Sequence, residues 1–272
     1  MHRLEVRVFN TPNRGIPVPA VRGYRARMLR AKLIGLYHSL PHRVRRSVFS
    51  RALESFPEFA YRRVKGLGFA PGGIIDCGAF NGDWSEIARS VYPETPILMI
   101  DALPTKEEPL AAAGRKLGNA IHTIAVLSGS PATDVPFFVN ENASSFYALN
   151  SELAIQETRR STETLDDVIA RDGKNLNAPF FLKLDVQGAE LDILRGGADT
   201  LARSGVVQLE VSLLPLYHDT PLATEAIAFM DERGFALLDI SSLIYTQFGN
   251  AIQMDMLFVP KQSRLRPTNI RF

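Results

Sequence analysis

The chain has 272 residues, of which 46% are hydrophobic and 22% are charged, so it can bury a large core and is not disordered along its whole length. Its single cysteine, Cys77, excludes a disulfide scaffold and a cysteine-rich zinc site, and it is typical of a reducing compartment. The formal net charge of +2 is the balance of three segments that differ strongly in charge.

The charge is distributed unevenly along the chain. Residues 1–65 contain 15 Lys or Arg and 3 Asp or Glu, which gives +12, whereas residues 66–260 carry −14 and residues 261–272 carry +4. These bounds divide the chain into a basic N-terminal arm with helices, a folded domain and a basic C-terminal tail. Neither a signal peptide nor a membrane span is evident, so we expect a cytoplasmic protein, with peripheral membrane contact as an option.

The basic N-terminal segment is predicted to be irregular at first and then helical. Several prolines favour an irregular arm up to about residue 21. Apolar residues at helical spacing predict a helix from Tyr24 to Pro41, and a second helical stretch covers about 43–64 with an interruption at Pro57. Nothing in this segment resembles a catalytic motif.

After residue 66, short apolar runs alternate with helical patterns. The predicted strands are Gly73–Cys77, Ile97–Asp101, Ile121–Val126, Phe180–Asp185, Val206–Val211, Phe235–Ile240 and Met254–Val259, with a further short strand over Val135–Val139. The predicted helices are Asp83–Val91, Thr105–Leu117, Leu165–Arg171, Ala189–Leu201 and Leu222–Arg233. This alternation indicates an α/β fold with a mostly parallel sheet that is covered by helices on both faces.

The first segment that carries chemistry is a buried strand that runs into a glycine-containing turn, Ile74–Ser85. Asp76 lies at the end of the strand, where α/β sheets bind their ligands, and glycines let the backbone approach such a ligand closely. The turn is not a dinucleotide fingerprint, because Phe80 and Asp83 occupy the positions of the second and third glycines. The alternative is an ordinary tight turn in which Asp76 caps the helix.

The second segment is the next predicted strand, Ile97–Asp101, which also ends in a carboxylate. A carboxylate at this position can accept hydrogen bonds from both hydroxyl groups of a ribose, whereas the alternative is a solvated loop acid. Two acids that end successive strands suit a cofactor that is cationic or rich in hydroxyl groups.

The third segment, Phe180–Leu191, places Lys183 inside an otherwise apolar strand. An unpaired buried lysine is costly, so we expect a carboxylate partner, for which Asp185, Glu190 and Glu210 are the candidates. Packing alone does not explain this polar cluster, which indicates a functional role.

Several segments together resemble the FkbM-type methyltransferases. They are IIDCGAFNGDWS, ILMIDALP, TLDDVI, FFLKLDVQGAELDILRGG, VVQLEVS and GFALLDI, and the most specific is LKLDVQGAELDILRGG. These enzymes are O-methyltransferases of the Rossmann-like class that use S-adenosyl-L-methionine (SAM). The resemblance implies a seven-stranded sheet whose last strand is antiparallel, here preceded by an N-terminal helical extension. The acceptors of the family differ widely, so the resemblance does not identify a substrate.

The resemblance also implies roles for individual residues. The glycine turn would line the methionine side of SAM through Asp76, Gly78, Ala79, Asn81 and Gly82. Asp101 would hold the ribose, and Ala125 and Val126 would lie near the adenine. The sequence departs from many members of the family after Ile100, where Asp101-Ala102 replaces a Glu-Pro pair but keeps an acid.

Three residues are candidates for a general base that takes the proton of an acceptor hydroxyl. In order of preference they are Asp185, His218 and Glu210. A lone loop histidine such as His218 is more often a surface residue, and Glu210 has the alternative role of a structural partner for Lys183. The histidines lack metal-ligand spacing, so no metal site is expected.

Functions of different classes remain open at this point. The first is methyl transfer to a hydroxyl of a sugar, a glycan or a small secondary metabolite. The second is nucleic-acid binding or modification, which the basic segment favours, although the [DNS]-P-P-[YFW] motif is absent. The basic helices could also dock on an anionic membrane, which is compatible with the first function. A dehydrogenase is the weakest alternative because the dinucleotide fingerprint fails.

Overall fold

A seven-stranded sheet organises the computed structural model, which describes residues 57–139, 156–216, 220–245 and 249–266. Its strands are β1 (Gly73–Cys77), β2 (Ile97–Asp101), β3 (Ala120–Ile124), β6 (Phe180–Leu184), β7 (Ser204–Ser212), β8 (Phe235–Tyr245) and β9 (Ala251–Pro260), and a separate hairpin consists of β4 (Ala132–Val139) and β5 (Gln156–Thr162). The order in the sheet is β3-β2-β1-β6-β7-β9-β8. Neighbouring strands are parallel except that β9 runs antiparallel to both β7 and β8.

Helices cover both faces of the sheet. They are α1 (Pro57–Gly66), α2 (Asp83–Val91), α3 (Glu107–Leu117), α4 (Leu165–Asp172), α5 (Glu190–Arg195), α6 (Ala198–Ala202) and α7 (Ala223–Glu232). Buried side chains of α1, α2 and α3 form one apolar cluster with the sheet, and those of α4 to α7 form another on the opposite face. Strands β1, β2 and β6 are buried at every position, as central strands of a parallel sheet are, and each is apolar except for one charged residue, Asp76, Asp101 and Lys183 respectively.

The strand order reverses between β1 and β6. The chain proceeds outward from β1 through β2 to β3, and then returns to place β6 on the other side of β1. Such a reversal opens a crevice at the carboxyl ends of the two strands, which is where open α/β sheets bind ligands. The glycine turn after β1 and Asp185 after β6 therefore lie at the mouth of the same crevice.

The predicted fold class is confirmed, including the antiparallel last strand. Some details of the prediction were wrong: the helix predicted over Ala189–Leu201 is divided into α5 and α6 by Gly196 and Gly197, and strand β5 was not foreseen. Several predicted bounds also differ, as for β3, which ends at Ile124, and for β8, which continues to Tyr245. The helices predicted before residue 57 and the candidate base His218 lie outside the described residues.

Helix α1, which the sequence placed with the basic segment, packs onto the sheet. Tyr61 is fully buried against Phe181, with the ring centroids 5.2 Å apart. Its hydroxyl donates a hydrogen bond to Gln208 of β7 and accepts one from the indole N–H of Trp84 at 2.8 Å. This helix is therefore part of the core that supports the crevice.

No helix in the described part of the chain is long and apolar enough to cross a membrane.

Candidate active site

The turn after β1 requires glycine at Gly78. This residue has φ +77°, and a Cβ there would lie 1.8 Å from the carbonyl oxygen of Asp185. The N–H groups of Gly78 and Ala79 donate to the carbonyl oxygen of Ile100 at 2.9 and 3.1 Å. The turn is thus pressed between β2 and the loop after β6, and it connects the two sides of the crevice. The helix after it, α2, has Gly82 as its N-cap, where the backbone also has a positive φ.

Asp101 lies at the crevice end of β2 and is only 8% exposed. Its Oδ2 accepts the N–H of Phe80 at 2.8 Å, and its Oδ1 accepts the N–H of Leu103 at 2.9 Å. Burial raises the pKa of Asp101, although these two N–H groups oppose the shift. A carboxylate has about four acceptor directions, so two remain for a diol. This environment fits a ribose ligand and does not fit the alternative of a solvated loop acid.

The wall of the crevice next to Asp101 contains three residues of different chemistry. Phe80 is exposed and has a positive φ of 52°, and the ammonium of Lys106 lies 3.2 Å from the centroid of its ring. Lys106 also donates to Oδ1 of Asn81 at 3.2 Å. Lys106 was given no role by the sequence, because it lies in a predicted helix outside every motif.

Ala125 and Val126 follow β3 and are both buried. The N–H of Ala125 donates to the carbonyl oxygen of Asp101 at 2.9 Å. Val126 packs against Leu103 and against Phe137 of the β4–β5 hairpin. The two residues therefore lie beside Asp101, where the resemblance expects the nucleoside.

Lys183 is the centre of a buried ion cluster. Its Nζ lies 3.1 Å from Oδ1 of Asp76 and 3.3 Å from Oδ2 of Asp185, and it donates to the carbonyl oxygen of Gly78 at 3.1 Å. Burial by itself would lower the pKa of Lys183, but the charges of Asp185 and Asp76 raise it instead, so the ammonium stays charged. The expectation that Lys183 pairs with Asp185 is confirmed.

Asp76 lies beneath the crevice and is completely buried. It is the register partner of Lys183 on the neighbouring strand, and Ser85 donates to its Oδ2 at 2.7 Å. Helix α2 has Gly82 at its cap position and no side-chain cap, so the alternative that Asp76 caps this helix is wrong. The carboxylate of Asp76 is placed to hold Lys183 and does not reach the surface of the crevice.

Glu190 does not pair with Lys183, contrary to one of the sequence alternatives. Its Oε1 accepts the N–H of Val186 at 3.0 Å and the N–H of Gly188 at 3.1 Å. Burial raises the pKa of Glu190 to about 7, although both N–H groups oppose the shift. Glu190 therefore stabilises the loop that follows β6.

Glu210 does not pair with Lys183 either. Its Oε2 accepts a hydrogen bond from Nε2 of Gln187 at 3.0 Å and another from Nε2 of Gln253 at 2.9 Å. The same Nε2 of Gln187 donates to Oδ1 of Asp185 at 3.1 Å. Burial raises the pKa of Glu210 well above its ordinary value, and the neighbouring charge of Asp185 adds to this shift. Asp185 and Glu210 are thus brought together, as two of the three candidate bases.

The acidic side of the crevice also contains residues that sequence reasoning missed. Asp255 lies opposite Glu210 in the register of β7 and β9, and it accepts a hydrogen bond from the Ser242 hydroxyl. Gln253 and Asp255 alternate with Met254 and Met256, so the period of two along β9 is the signal that could have revealed them.

The reversed strand order and the antiparallel β9 are those of a Rossmann-like α/β methyltransferase, and the buried acid Asp101 lies beside the glycine turn. A family model described as the methyltransferase FkbM domain matches residues 76–237, which is more than half of the chain. The chain belongs to this family, and it is a SAM-dependent methyltransferase. Among the described residues no cluster of His, Cys, Asp or Glu could hold a metal ion.

Comparisons with solved structures give only distant likenesses. A precorrin-6y C5,15-methyltransferase from Geobacter metallireducens is 15% identical, with 76% of this chain and 90% of that chain covered at a TM-score of 0.41. A fibrillarin pre-rRNA processing protein from Methanococcus jannaschii is 10% identical, with 71% and 68% covered at 0.45. A putative RNA methyltransferase from Pyrococcus horikoshii is 13% identical, with 75% and 81% covered at 0.43. No protein with a curated description matches the sequence.

Proposed function

We propose that this enzyme transfers the methyl group of SAM to a hydroxyl of a sugar, a glycan or a small secondary metabolite. The observation that carries the proposal is the position of Asp185 at the carboxyl end of β6, beside the reversal of strand order. Its side chain is 33% exposed, whereas its partner Lys183 is 3% exposed. Asp185 is therefore an anionic group that an acceptor in the crevice can contact.

The residues of the crevice divide into two groups by the ligand they would contact. Asp101 would accept the ribose hydroxyls of SAM, the turn from Gly78 to Gly82 would lie along its methionine part, and Ala125 and Val126 would lie near its adenine. SAM supplies a methyl group that is already activated on a sulfonium. What the protein adds is alignment of the acceptor and an environment of suitable charge.

Asp185 would accept the hydrogen bond of the acceptor hydroxyl and fix the direction of its oxygen. In the transfer, the C–S bond of the sulfonium would break with its electron pair left on sulfur, so that the rest of SAM leaves as a neutral thioether. The O–H bond of the acceptor would break as the new O–C bond forms, and its proton would pass to the carboxylate of Asp185, which later releases it to water. A general base of this kind contributes about a hundredfold to ten-thousandfold. The ion pair with Lys183 fixes the position of the Asp185 side chain, and the ion pair with Asp76 fixes that of Lys183.

The charge of the crevice disfavours the alternative of a nucleic-acid substrate. Asp185 follows β6, and Glu210 and Asp255 lie on the adjacent strands β7 and β9; we call these three acids the acceptor side of the crevice. The cation nearest to them, Lys183, is already paired with two carboxylates. The ionised Asp185 would repel a phosphate backbone at this place, because like charges at short range destabilise a complex.

Calorimetric SAM binding, followed by transfer of labelled methyl groups to extracts of metabolites and glycans, tests the proposal. Asp185→Asn is expected to lower transfer by at least a hundredfold. The matched control is Asp231→Asn, which changes an acid that is 63% exposed and is paired only with Lys261 in the described structure. Near-normal transfer by Asp185→Asn, or labelling of nucleic acid instead of glycans and metabolites, would contradict the proposal.

We further infer that the basic residues before α1 dock the enzyme on an anionic surface, which would bring it close to acceptors on lipid-linked glycans. Flotation with vesicles that contain anionic lipid tests this idea. The deletion compared with the full chain should end at residue 56 rather than 65, because Tyr61 is part of the core. Equal flotation of both proteins would exclude the idea, and a salt-sensitive shift with short RNA would favour nucleic acid.

A further inference from the structure

Two acids of the crevice share one amide group. Nε2 of Gln187 lies 3.1 Å from Oδ1 of Asp185 and 3.0 Å from Oε2 of Glu210, so these two oxygens are no more than about 6 Å apart. Gln187 reaches both because its backbone has a left-handed φ of 58°. Hydrogen bonding with Asp185 is one of the causes that raise the pKa of Glu210, after its burial and the charge of Asp185. The side chains are therefore held as a pair by the fold.

Asp185 and Glu210 differ in their contacts with charged groups. Asp185 lies 3.3 Å from the ammonium of Lys183, whereas Glu210 has no ion pair with any described residue. Three acids face Glu210 from the neighbouring elements, namely Asp185 after β6, Glu190 on α5 and Asp255 on β9, and each adds to the rise in its pKa. The ammonium of Lys183 pairs with Asp185 and not with Glu210. Ionisation of Glu210 would therefore place a second negative charge next to that of Asp185.

The hydrogen bonds of Glu210 fit a neutral carboxyl group. Both amide donors, from Gln187 and Gln253, use Oε2, which therefore acts as the carbonyl oxygen of an acid. The proton would sit on the other oxygen, Oε1. An ionised group would be expected to use both oxygens to collect donors, as Asp101 does on the other side of the crevice.

We propose that Glu210 is a neutral carboxylic acid at neutral pH and donates its proton to Asp185, so that the pair holds one proton and Asp185 alone is ionised. Glu210 is then a positioning residue: it fixes the carboxylate of Asp185 from one side while Lys183 fixes it from the other. This positioning role rests on the proposed function, whereas the protonation state of Glu210 is independent of that function.

Isotope-edited infrared spectroscopy tests the protonation state in the full chain without SAM or acceptor. With ¹³C-labelled glutamate side chains, the wild type is expected to show a protonated-carboxyl band at neutral pH that is lost in Glu210→Gln. Glu190, whose pKa is about 7, would contribute to the same protonated-carboxyl band. Glu190→Gln is therefore the matched control, and it should keep the part of the band that comes from Glu210. Identical spectra for the wild type and Glu210→Gln would overturn the proposal.

Thermal unfolding at a series of pH values gives an independent readout. An acid whose pKa is raised by folding stabilises the protein below its unfolded pKa, and this stabilisation is lost as the pH rises through the folded pKa. Glu210→Gln removes that loss, so its melting temperature is expected to rise by several degrees relative to the wild type between pH 5 and pH 9. If the melting temperatures of the wild type and Glu210→Gln changed with pH in parallel, Glu210 would be ionised over the whole range and the proposal would be overturned.

Once an acceptor is identified, the positioning role can be separated from simple packing. Glu210→Gln can still donate to Asp185 through its amide, whereas Glu210→Leu cannot. We expect the Gln variant to keep at least tenfold more turnover than the Leu variant and to lose the alkaline limb of the pH profile. Equal losses in both variants would contradict positioning through a hydrogen bond. Absence of transfer in the wild type would instead refute the proposed function, with the infrared result unaffected.

Discussion

Asp101 and Glu210 are both acids at the edge of one crevice, but the fold holds them in different ways. The carboxylate of Asp101 accepts two main-chain N–H groups, from Phe80 and Leu103. Glu210 accepts side-chain amides from Gln187 and Gln253, which come from separate parts of the chain. Main-chain donors persist whatever side chains surround them, whereas amide donors depend on residue identity. In the proposed assignment, the residues of the acceptor side (Asp185, Glu210 and Asp255) can therefore vary while the main-chain donors to Asp101 on the cofactor side persist.

The largest expected effect tests whether the acceptor side depends on its buried cation. Lys183→Met leaves the fully buried Asp76 without a cation, so we expect the free energy of unfolding to fall by about 3–5 kcal/mol in urea denaturation. The double variant Asp76→Leu with Lys183→Met removes both charges and should recover most of this loss. If Lys183→Met lowered the free energy of unfolding by less than about 1 kcal/mol, the ion cluster would contribute little to stability.

A second prediction concerns the loop that carries Asp185 and Gln187. The pKa of Glu190 is raised from 4.5 to about 7, so its contribution to stability is complete below about pH 4.5 and is lost as the pH rises through 7. Across that range the wild type should lose on the order of 3 kcal/mol of unfolding free energy relative to Glu190→Gln. Denaturation at several pH values checks this slope, and parallel profiles for the two proteins would disprove it.

A third prediction concerns the point where the two sides of the crevice touch. Gly78→Ala would place a Cβ 1.8 Å from the carbonyl oxygen of Asp185, whereas Gly234 has a similar φ of 81° with no atom within 4 Å. We expect Gly234→Ala to lower the free energy of unfolding by about 1–2 kcal/mol, because alanine disfavours a left-handed backbone. Gly78→Ala should lower it by about 2 kcal/mol more, because of the clash. If thermal unfolding showed the same loss of stability for Gly78→Ala and Gly234→Ala, the turn after β1 and the loop after β6 would not be in tight contact.

The smallest expected effect is confined to the cofactor side. Asp101→Asn removes the charge that accepts two N–H groups and would accept a ribose, so the Kd for SAM should rise about 10- to 100-fold by calorimetry. Asp185→Asn, on the acceptor side, should change the Kd far less. If both variants weakened SAM binding equally, the division of the crevice into two sides would have to be abandoned.

The central strands could be predicted because their burial is uniform. The bounds of β1, β2 and α2 agree with those expected from the sequence, since strands buried on both faces give continuous apolar runs between clear turn signals. Strand β5, by contrast, consists of QETRRST and has no apolar face, so neither alternation nor a run indicates it. Its strand conformation depends on pairing with β4, which is a property of the folded chain.

Asp76 and Asp101 could be singled out in the same local way, because each lies at or near the end of a predicted strand, whereas the other proposed cofactor residues came from the family resemblance. The pairing of Lys183 with Asp185 was foreseen, but Asp76 as a partner of Lys183 and Gln253 as a partner of Glu210 were not. Asp76 pairs with Lys183 only because β1 and β6 are neighbours with these two residues in register, although 107 positions separate them in the chain. Gln253 reaches Glu210 through the antiparallel pairing of β7 with β9. Such contacts follow from strand register, which a single sequence does not specify.

The place of β9 in the sheet has a consequence for the order in which the protein is assembled during synthesis. Strand β8 has β9 as its neighbour in the sheet, so it lacks a partner strand while the ribosome has not yet released residues 251–260. The donor Gln253 and the acid Asp255 arrive on that same late strand. In a nascent chain the part of the crevice around Asp101 can therefore form early, whereas the part around Glu210 stays unfinished until residues 251–260 have emerged.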